Sequence, residues 1–123
     1  MKTPAASGRF RHEKQLIERR AILQSEVAAT LLRIDADRYA ALAGQVHDTK
    51  DHSIAQSLIA TGNAEVRRDV EELQDIAAAL DRMRAGTYGI CTVCGAAIPE
   101  GRLDAYPTAK RCLVCQTAYE GTR

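Results

Sequence analysis

The sequence predicts an all-α protein: a long antiparallel helical hairpin, a coiled coil, followed by a small C-terminal head. Three observations carry this. Apolar residues recur at helical spacing over most of residues 10–85. No proline falls between Pro4 and Pro99. All four cysteines lie in two Cys-x-x-Cys pairs, Cys91 with Cys94 and Cys112 with Cys115, separated by 17 residues.

Composition agrees with the pattern. Four Tyr, one Phe and no Trp, with 27% charged residues, suit amphipathic helices packing pairwise better than a thick globular core. A core that small needs a staple, and the cysteines can supply one through a metal. The net charge is +1 with neutral thiols. Four thiolates on one Zn²⁺ would add −4 and +2 and bring it to −1. Neither value resembles the basic excess of a protein that neutralises phosphates, so no direct sequence-specific DNA binding is expected. No apolar run approaches the ~18 residues of a membrane span. Met1 to Gly8 lacks the apolar core of a signal peptide. A cytoplasmic location is expected, where paired cysteines bind metal more readily than they form disulfides.

Residues 1–9, with Pro4, Ser7 and Gly8, predict a flexible leader. Residues 10–85 predict the hairpin. Leu16, Leu23, Val27, Leu31, Ile34, Leu42 and Val46 carry a first helix to about residue 47. Asp48 to Ser53 interrupts the apolar series with side chains that compete for the backbone, and it predicts the tip. Ile54, Leu58, Val66, Val70, Leu73, Ala77, Leu80 and Met83 carry a second helix to Ala85, with Gly86 as its left-handed cap. The two series mirror one another about residue 50: Leu42 answers Leu58, Val27 answers Leu73, and Ile17 answers Met83. Each arm would reach ~50 Å. Gly62 falls within the second arm, where Gly costs ~1 kcal/mol relative to Ala. The mirror sets it close to Tyr39, which predicts a packing role. Residues 86–123 predict the head, with Gly86 and Gly89 turning the chain and Gly95 letting it curl around a sulfur. Ile98, Leu103, Ala105 and Leu113 are its expected packing residues.

Two Cys-x-x-Cys units at this spacing are a four-thiolate zinc set. Such a set closes the coordination sphere, so one Zn²⁺ held by Cys91, Cys94, Cys112 and Cys115 would be structural. A redox protein needs one such pair, not two. His12, His47 and His52 are read as exposed helix and turn residues. At the tip, Asp48, Asp51 and Ser53 have two readings. They can cap the second helix and its turn, or they can offer paired carboxylates to Mg²⁺ or to basic groups of a partner. No base, nucleophile or pocket accompanies them, so no enzyme is expected. Arg11, Lys14, Arg82 and Arg84 gather near the base of the hairpin, as solvated surface or as a docking patch for an acidic rim.

The run Ala85-Gly86-Thr87-Tyr88-Gly89-Ile90-Cys91, then Cys94-Gly95, Ile98-Pro99, Arg102-Leu103, Ala105, Pro107, Ala109, Cys112 and Cys115 resembles the DksA/TraR zinc-finger family. The hairpin is similar, more loosely, to the DksA-like members, whose Asp-x-x-Asp-x-Ala tip is answered by Asp48, Asp51 and Ser53. The resemblance implies a transcription regulator that binds RNA polymerase rather than DNA, and a monomer is expected. It would insert the coiled coil into the secondary channel and alter open-complex stability. The acting residues would be Asp48, Asp51 and Ser53, with Arg11, Lys14, Arg82 and Arg84 toward the polymerase rim. Three departures stand out. Ser53 replaces the family's Ala. The segment before the hairpin is short, so the family's helical N-terminal segment is expected to be missing or reduced. Gln116, Tyr106 and Asp75 stand where basic groups would meet ppGpp, which predicts little synergy with that alarmone. The rival readings are a Gre-like transcript-cleavage factor and a DNA-binding zinc-finger regulator.

Overall fold

The computed structural model describes the backbone of residues 6–121 and the side chains of residues 11–121. Among the described residues there are five α-helices and one short 3₁₀ turn. No strand is present among the described residues, only an isolated antiparallel bridge between Ile90 and Ala97. The helices are α1 (Ala6–Ala43), α2 (His52–Ile59), α3 (Ala64–Ala85), α4 (Glu100–Ala105) and α5 (Leu113–Gly121). Helix α1 starts inside the segment expected to be a leader, and residues 1–5 lie outside the described residues. No described helix is long and apolar enough to cross a membrane. The chain divides into two compact units. One is Ile17–Ala77, and the other joins the segment up to Leu16 with the residues from Ala78 onward.

The first unit is the hairpin. Leu23, Val27 and Leu31 of α1, Ala55 and Leu58 of α2, and Val66, Val70, Leu73 and Ile76 of α3 form its buried seam. Burying each of the larger side chains is worth ~1.5–3 kcal/mol. Arg19 of α1 clasps Glu72 of α3 through Nε and Nη2, at 2.7 and 3.0 Å.

Four expectations are corrected here. Helix α1 stops at Ala43 rather than near 47, because Gly44 follows and the Gln45 N–H turns back to the Leu42 carbonyl at 3.0 Å. The turn therefore takes its residues mainly from the N-terminal side, and the hairpin does not fold about residue 50. Arg19 meets Glu72, where the mirror would have set it level with Asp81. Ile17 and Ile34, assigned to the seam, are 43% and 48% exposed, while Ile76, left out of the series, is fully buried. The first arm is also not continuous. Asp35 adopts φ −163° and ψ 92°, and its carboxylate accepts the Arg38 N–H at 3.0 Å, restarting the helix as a cap does.

The second arm is broken as well. Gly62 is not helical. It has φ +76°, between α2 and α3, and a Cβ built on it would meet nothing within 4 Å. It serves as the left-handed residue that ends one helix, and the proposed packing against Tyr39 falls away. Asn63 then caps α3, its Oδ1 accepting the Val66 N–H at 3.0 Å.

The second unit is the head. Its buried apolar residues are Leu16, Ala79, Leu80 and Met83 from the two long helices and Tyr88, Cys91, Ile98 and Leu103 from the segment that follows. Ala105 and Leu113, expected to pack here, are exposed, Leu113 by 63%. The expected end of α3 holds: Gly86 has φ +78°, and the Thr87 N–H returns to the Arg82 carbonyl at 2.9 Å.

Candidate metal centre and acidic turn

The first cysteine knuckle is built by backbone hydrogen bonds. Cys91 N–H donates to the Ala96 carbonyl at 2.8 Å, and Gly95 N–H returns to the Cys91 carbonyl at 3.0 Å. That tight return is made at φ +78°, which only Gly95 reaches without strain. The second knuckle is the start of α5: Cys112 precedes the helix, Cys115 lies in its first turn, and Gln116 N–H donates to the Cys112 carbonyl. Thr92 ties the two knuckles together, its N–H and hydroxyl both donating to the Lys110 carbonyl at 2.8 and 3.0 Å.

The four sulfurs lie within 4.8 Å of one another, and none is in a disulfide. Cys94 Sγ and Cys112 Sγ are 3.7 Å apart. A tetrahedral zinc with Zn–S bonds of ~2.3 Å sets its ligand sulfurs ~3.8 Å apart. The donor set therefore fits one structural Zn²⁺. The thiols are already differentiated. Burial pushes Cys91 up, but N–H groups of Cys112, Cys94 and Val93, with the Cys94 thiol, outweigh it and bring Cys91 down to about 6. Cys115 is pushed up to about 12 by hydrogen bonds to the Cys112 and Cys94 sulfurs, by burial, and by Cys91. A dication relieves the repulsion that holds that last proton.

Around the knuckles the head is held by polar contacts that no local pattern announces. The buried Tyr88 hydroxyl donates to the Pro107 carbonyl at 2.8 Å, and burial pushes its phenol up to about 12. Arg102 and Arg82 donate to the Arg111 and Thr108 carbonyls. Arg111 stacks 3.8 Å over the Tyr119 ring.

His12 corrects another expectation. It is fully buried, not exposed, with its ring 5.8 Å from that of Tyr88. Its Nε2 donates to Asp104 Oδ1 at 2.8 Å, while its Nδ1 has no partner. Arg11 Nη2 donates to the same oxygen at 2.6 Å and to Glu100 Oε1 at 3.1 Å. The hydrogen bonds from His12 and then Arg11 hold Asp104 below the usual carboxylate range. His12, Glu100 and Asp104 have the spacing of metal ligands. Arg11 already supplies the cation there, so this cluster is a clasp between α1 and α4.

Of the other basic residues near the head, Arg84 pairs with Asp81 and Arg82 reaches Thr108, while Lys14 is exposed.

At the turn, Val46 to Asp48 forms the 3₁₀ element, and Val46 and the C-cap residue Thr49 are buried. Asp48 is exposed, with Oδ2 3.6 Å from His47 Nε2. Asp51 is the N-cap of α2. Its Oδ1 accepts the Ser53 N–H at 2.9 Å and the Ser53 hydroxyl at 2.7 Å. The capping reading of the tip thus holds for Asp51, whose carboxylate stays exposed to solvent.

Residues 86–121 match the prokaryotic dksA/traR C4-type zinc finger. Over 52 residues the chain is 42% identical to an uncharacterised protein of Aquifex aeolicus (strain VF5), a stretch of 42% of this chain and 36% of that protein. Over 52 residues it is 40% identical to General stress protein 16O of Bacillus subtilis (strain 168), covering 42% of this chain and 32% of the relative. The matched stretch thus spans about a third of each relative's length. The fold is similar to that in the structure of transcription factor DksA2 from Pseudomonas aeruginosa, with a TM-score of 0.63 and 21% identity. That match covers 96% of this chain and 87% of the other.

Proposed function

We propose that this chain, a member of the DksA/TraR zinc-finger family, regulates transcription by binding RNA polymerase. It enters the secondary channel with its helical hairpin and changes the stability of the open complex at promoters. Asp48, Asp51 and Ser53 are the residues brought to the active centre. Arg11, Lys14, Arg82 and Arg84 lie toward the polymerase rim, with Lys14 the most available of the four. The protein acts in the cytoplasm, as a monomer, and is not an enzyme. Its synergy with ppGpp is weak, because Gln116, Tyr106 and Asp75 stand where cations would serve.

The observation that carries this reading is the pairing of two features in one chain. A C4 zinc finger of this family occupies 86–121, and a helical hairpin ends in a turn with two exposed carboxylates. The zinc supplies folding energy to the head. With four thiolates around it, no coordination position is left for substrate. Near-neutral charge favours a protein partner over DNA. A carboxylate at the end of a helical arm suits a basic group or a hydrated cation in a narrow site.

In vitro transcription with purified bacterial RNA polymerase tests the reading. The wild type is expected to change open-complex lifetime. Asp51→Asn is expected to compete for polymerase binding as the wild type does, but to lose ~10-fold or more of the effect, as for removal of a charge-assisted contact. Identical action of both proteins would reduce the tip to a capped turn. Cleavage of nascent RNA in stalled complexes would favour the Gre-like reading instead.

A further inference from the structure

We infer that Ser53 is a positioning residue for Asp51: its hydroxyl fixes the Asp51 carboxylate through Oδ1 and so sets how the turn presents that charge to a cationic group of the partner. The inference rests on the proposed function for its partner, and on this chain's own geometry for the rest.

A helix N-cap needs only one bond from its side chain, here the Ser53 N–H at 2.9 Å. Asp51 receives a second donor on the same oxygen, the Ser53 hydroxyl at 2.7 Å. A serine near a helix start can turn its hydroxyl to solvent or to a carbonyl one turn back. Ser53 does neither. Its own carbonyl is in turn held by the Ser57 hydroxyl at 2.9 Å. With two bonds from one residue converging on Oδ1, the carboxylate cannot rotate without losing both. Oδ2 takes part in neither bond. The neighbouring Asp48 differs, since its contact with His47 is 3.6 Å long. The charge is also secured. The Ser53 hydroxyl first, then the Ser53 N–H, hold Asp51 below the usual carboxylate range; slight burial opposes them, and the Ile54 N–H and His52 assist. Asp51 is thus an ionised acceptor with one oxygen committed to the helix and a fixed plane. That is the geometry that lowers the ordering cost of meeting a guanidinium or ammonium group. An alanine at residue 53 would keep the backbone cap and remove only the second donor.

The test uses the full zinc-loaded chain with Ser53→Ala, Asp51→Asn and the double variant. Carboxyl-carbon NMR follows the Asp51 titration, and open-complex lifetime with purified polymerase follows the response. Ser53→Ala is expected to move the Asp51 midpoint up toward that of an ordinary aspartate. It should weaken the polymerase response ~5-fold, as the loss of one hydrogen bond to an exposed charge would, while thermal stability hardly moves. In the double variant, Ser53→Ala should add nothing to Asp51→Asn. An unmoved midpoint would overturn the inference, as would a Ser53→Ala loss of equal size with and without the Asp51 charge. If Asp51→Asn itself leaves the polymerase response intact, the proposed function fails at the tip and takes this partner with it. A midpoint that still shifts would identify that failure as one of function and not of the Ser53–Asp51 link.

Discussion

The head and the hairpin are stabilised by different physics. The zinc-binding part of the head, residues 86–121, buries only the side chains of Tyr88, Cys91, Ile98 and Leu103 among its apolar residues, and α5 buries none at all. Its chain is held by four sulfurs, by carbonyls that receive Arg102, Arg82 and Tyr88, and by the His12 clasp. The hairpin has no such ligand set. It rests on the seam from Leu23 to Ile76 and on caps that restart its helices at Asp35, Asp51 and Asn63. A region built on directed bonds fails when one donor or ligand is removed. A region built on an apolar seam and caps loses stability in small steps. Perturbations should therefore separate the two.

The largest effect is expected from the metal. A structural zinc is worth ~10 kcal/mol or more of folding energy to the residues it joins. Removing it with a chelator, or replacing Cys112 by Ser, should make residues 88–115 sensitive to protease and abolish the zinc stoichiometry. Far-UV circular dichroism should retain most of its helical signal, because the hairpin seam contains no cysteine. Loss of the helical signal together with the metal would mean that the hairpin depends on the head, and the contrast would collapse.

The same contrast governs what could be seen in the sequence. The zinc set was legible because its ligands announce themselves by type and spacing, Cys91 with Cys94 and Cys112 with Cys115. The helical character of both arms was legible from apolar recurrence. The register was not, since a mirror in the sequence cannot tell how many residues the turn consumes or from which side. Helix α1 gives up everything after Ala43 to it. The breaks at Asp35 and Gly62 were hidden because the apolar series continues on both sides of each. A single Asp or Gly within such a series is compatible with a continuous helix until its backbone angles are known. His12 was hidden for another reason: its partner Asp104 is 92 residues away. No local pattern distinguishes a buried histidine of that kind from an exposed one.

That clasp gives the middle-sized effect and a pH signature. His12 is fully buried, and His12→Ala would remove a donor from Asp104 and leave a cavity beside the Tyr88 ring, at a cost of ~2–3 kcal/mol. The folded-state titration of Asp104 is depressed. Its contribution is therefore fully present above the ordinary aspartate range and is lost as pH falls through the depressed folded value. Thermal melts of the zinc-loaded protein between about pH 5 and pH 3 should show a steeper loss of stability for the wild type than for Asp104→Asn. The comparison keeps zinc loss common to both proteins. Parallel curves would mean that the clasp carries no charge-dependent stability.

The smallest effect has the most decisive sign. Were Gly62 within a continuous helix, Gly62→Ala would stabilise the hairpin by ~1 kcal/mol, the difference in helix propensity. At φ +76° the same substitution meets the left-handed penalty instead, ~1–2 kcal/mol of destabilisation. No neighbour complicates the reading, since a Cβ at this position would touch nothing within 4 Å. The change therefore isolates backbone conformation from packing. Denaturant unfolding followed by helical circular dichroism should place the midpoint of Gly62→Ala below that of the wild type, with an unchanged slope. A midpoint above it would restore the uninterrupted second arm, and with it the longer coiled coil that the apolar series predicts.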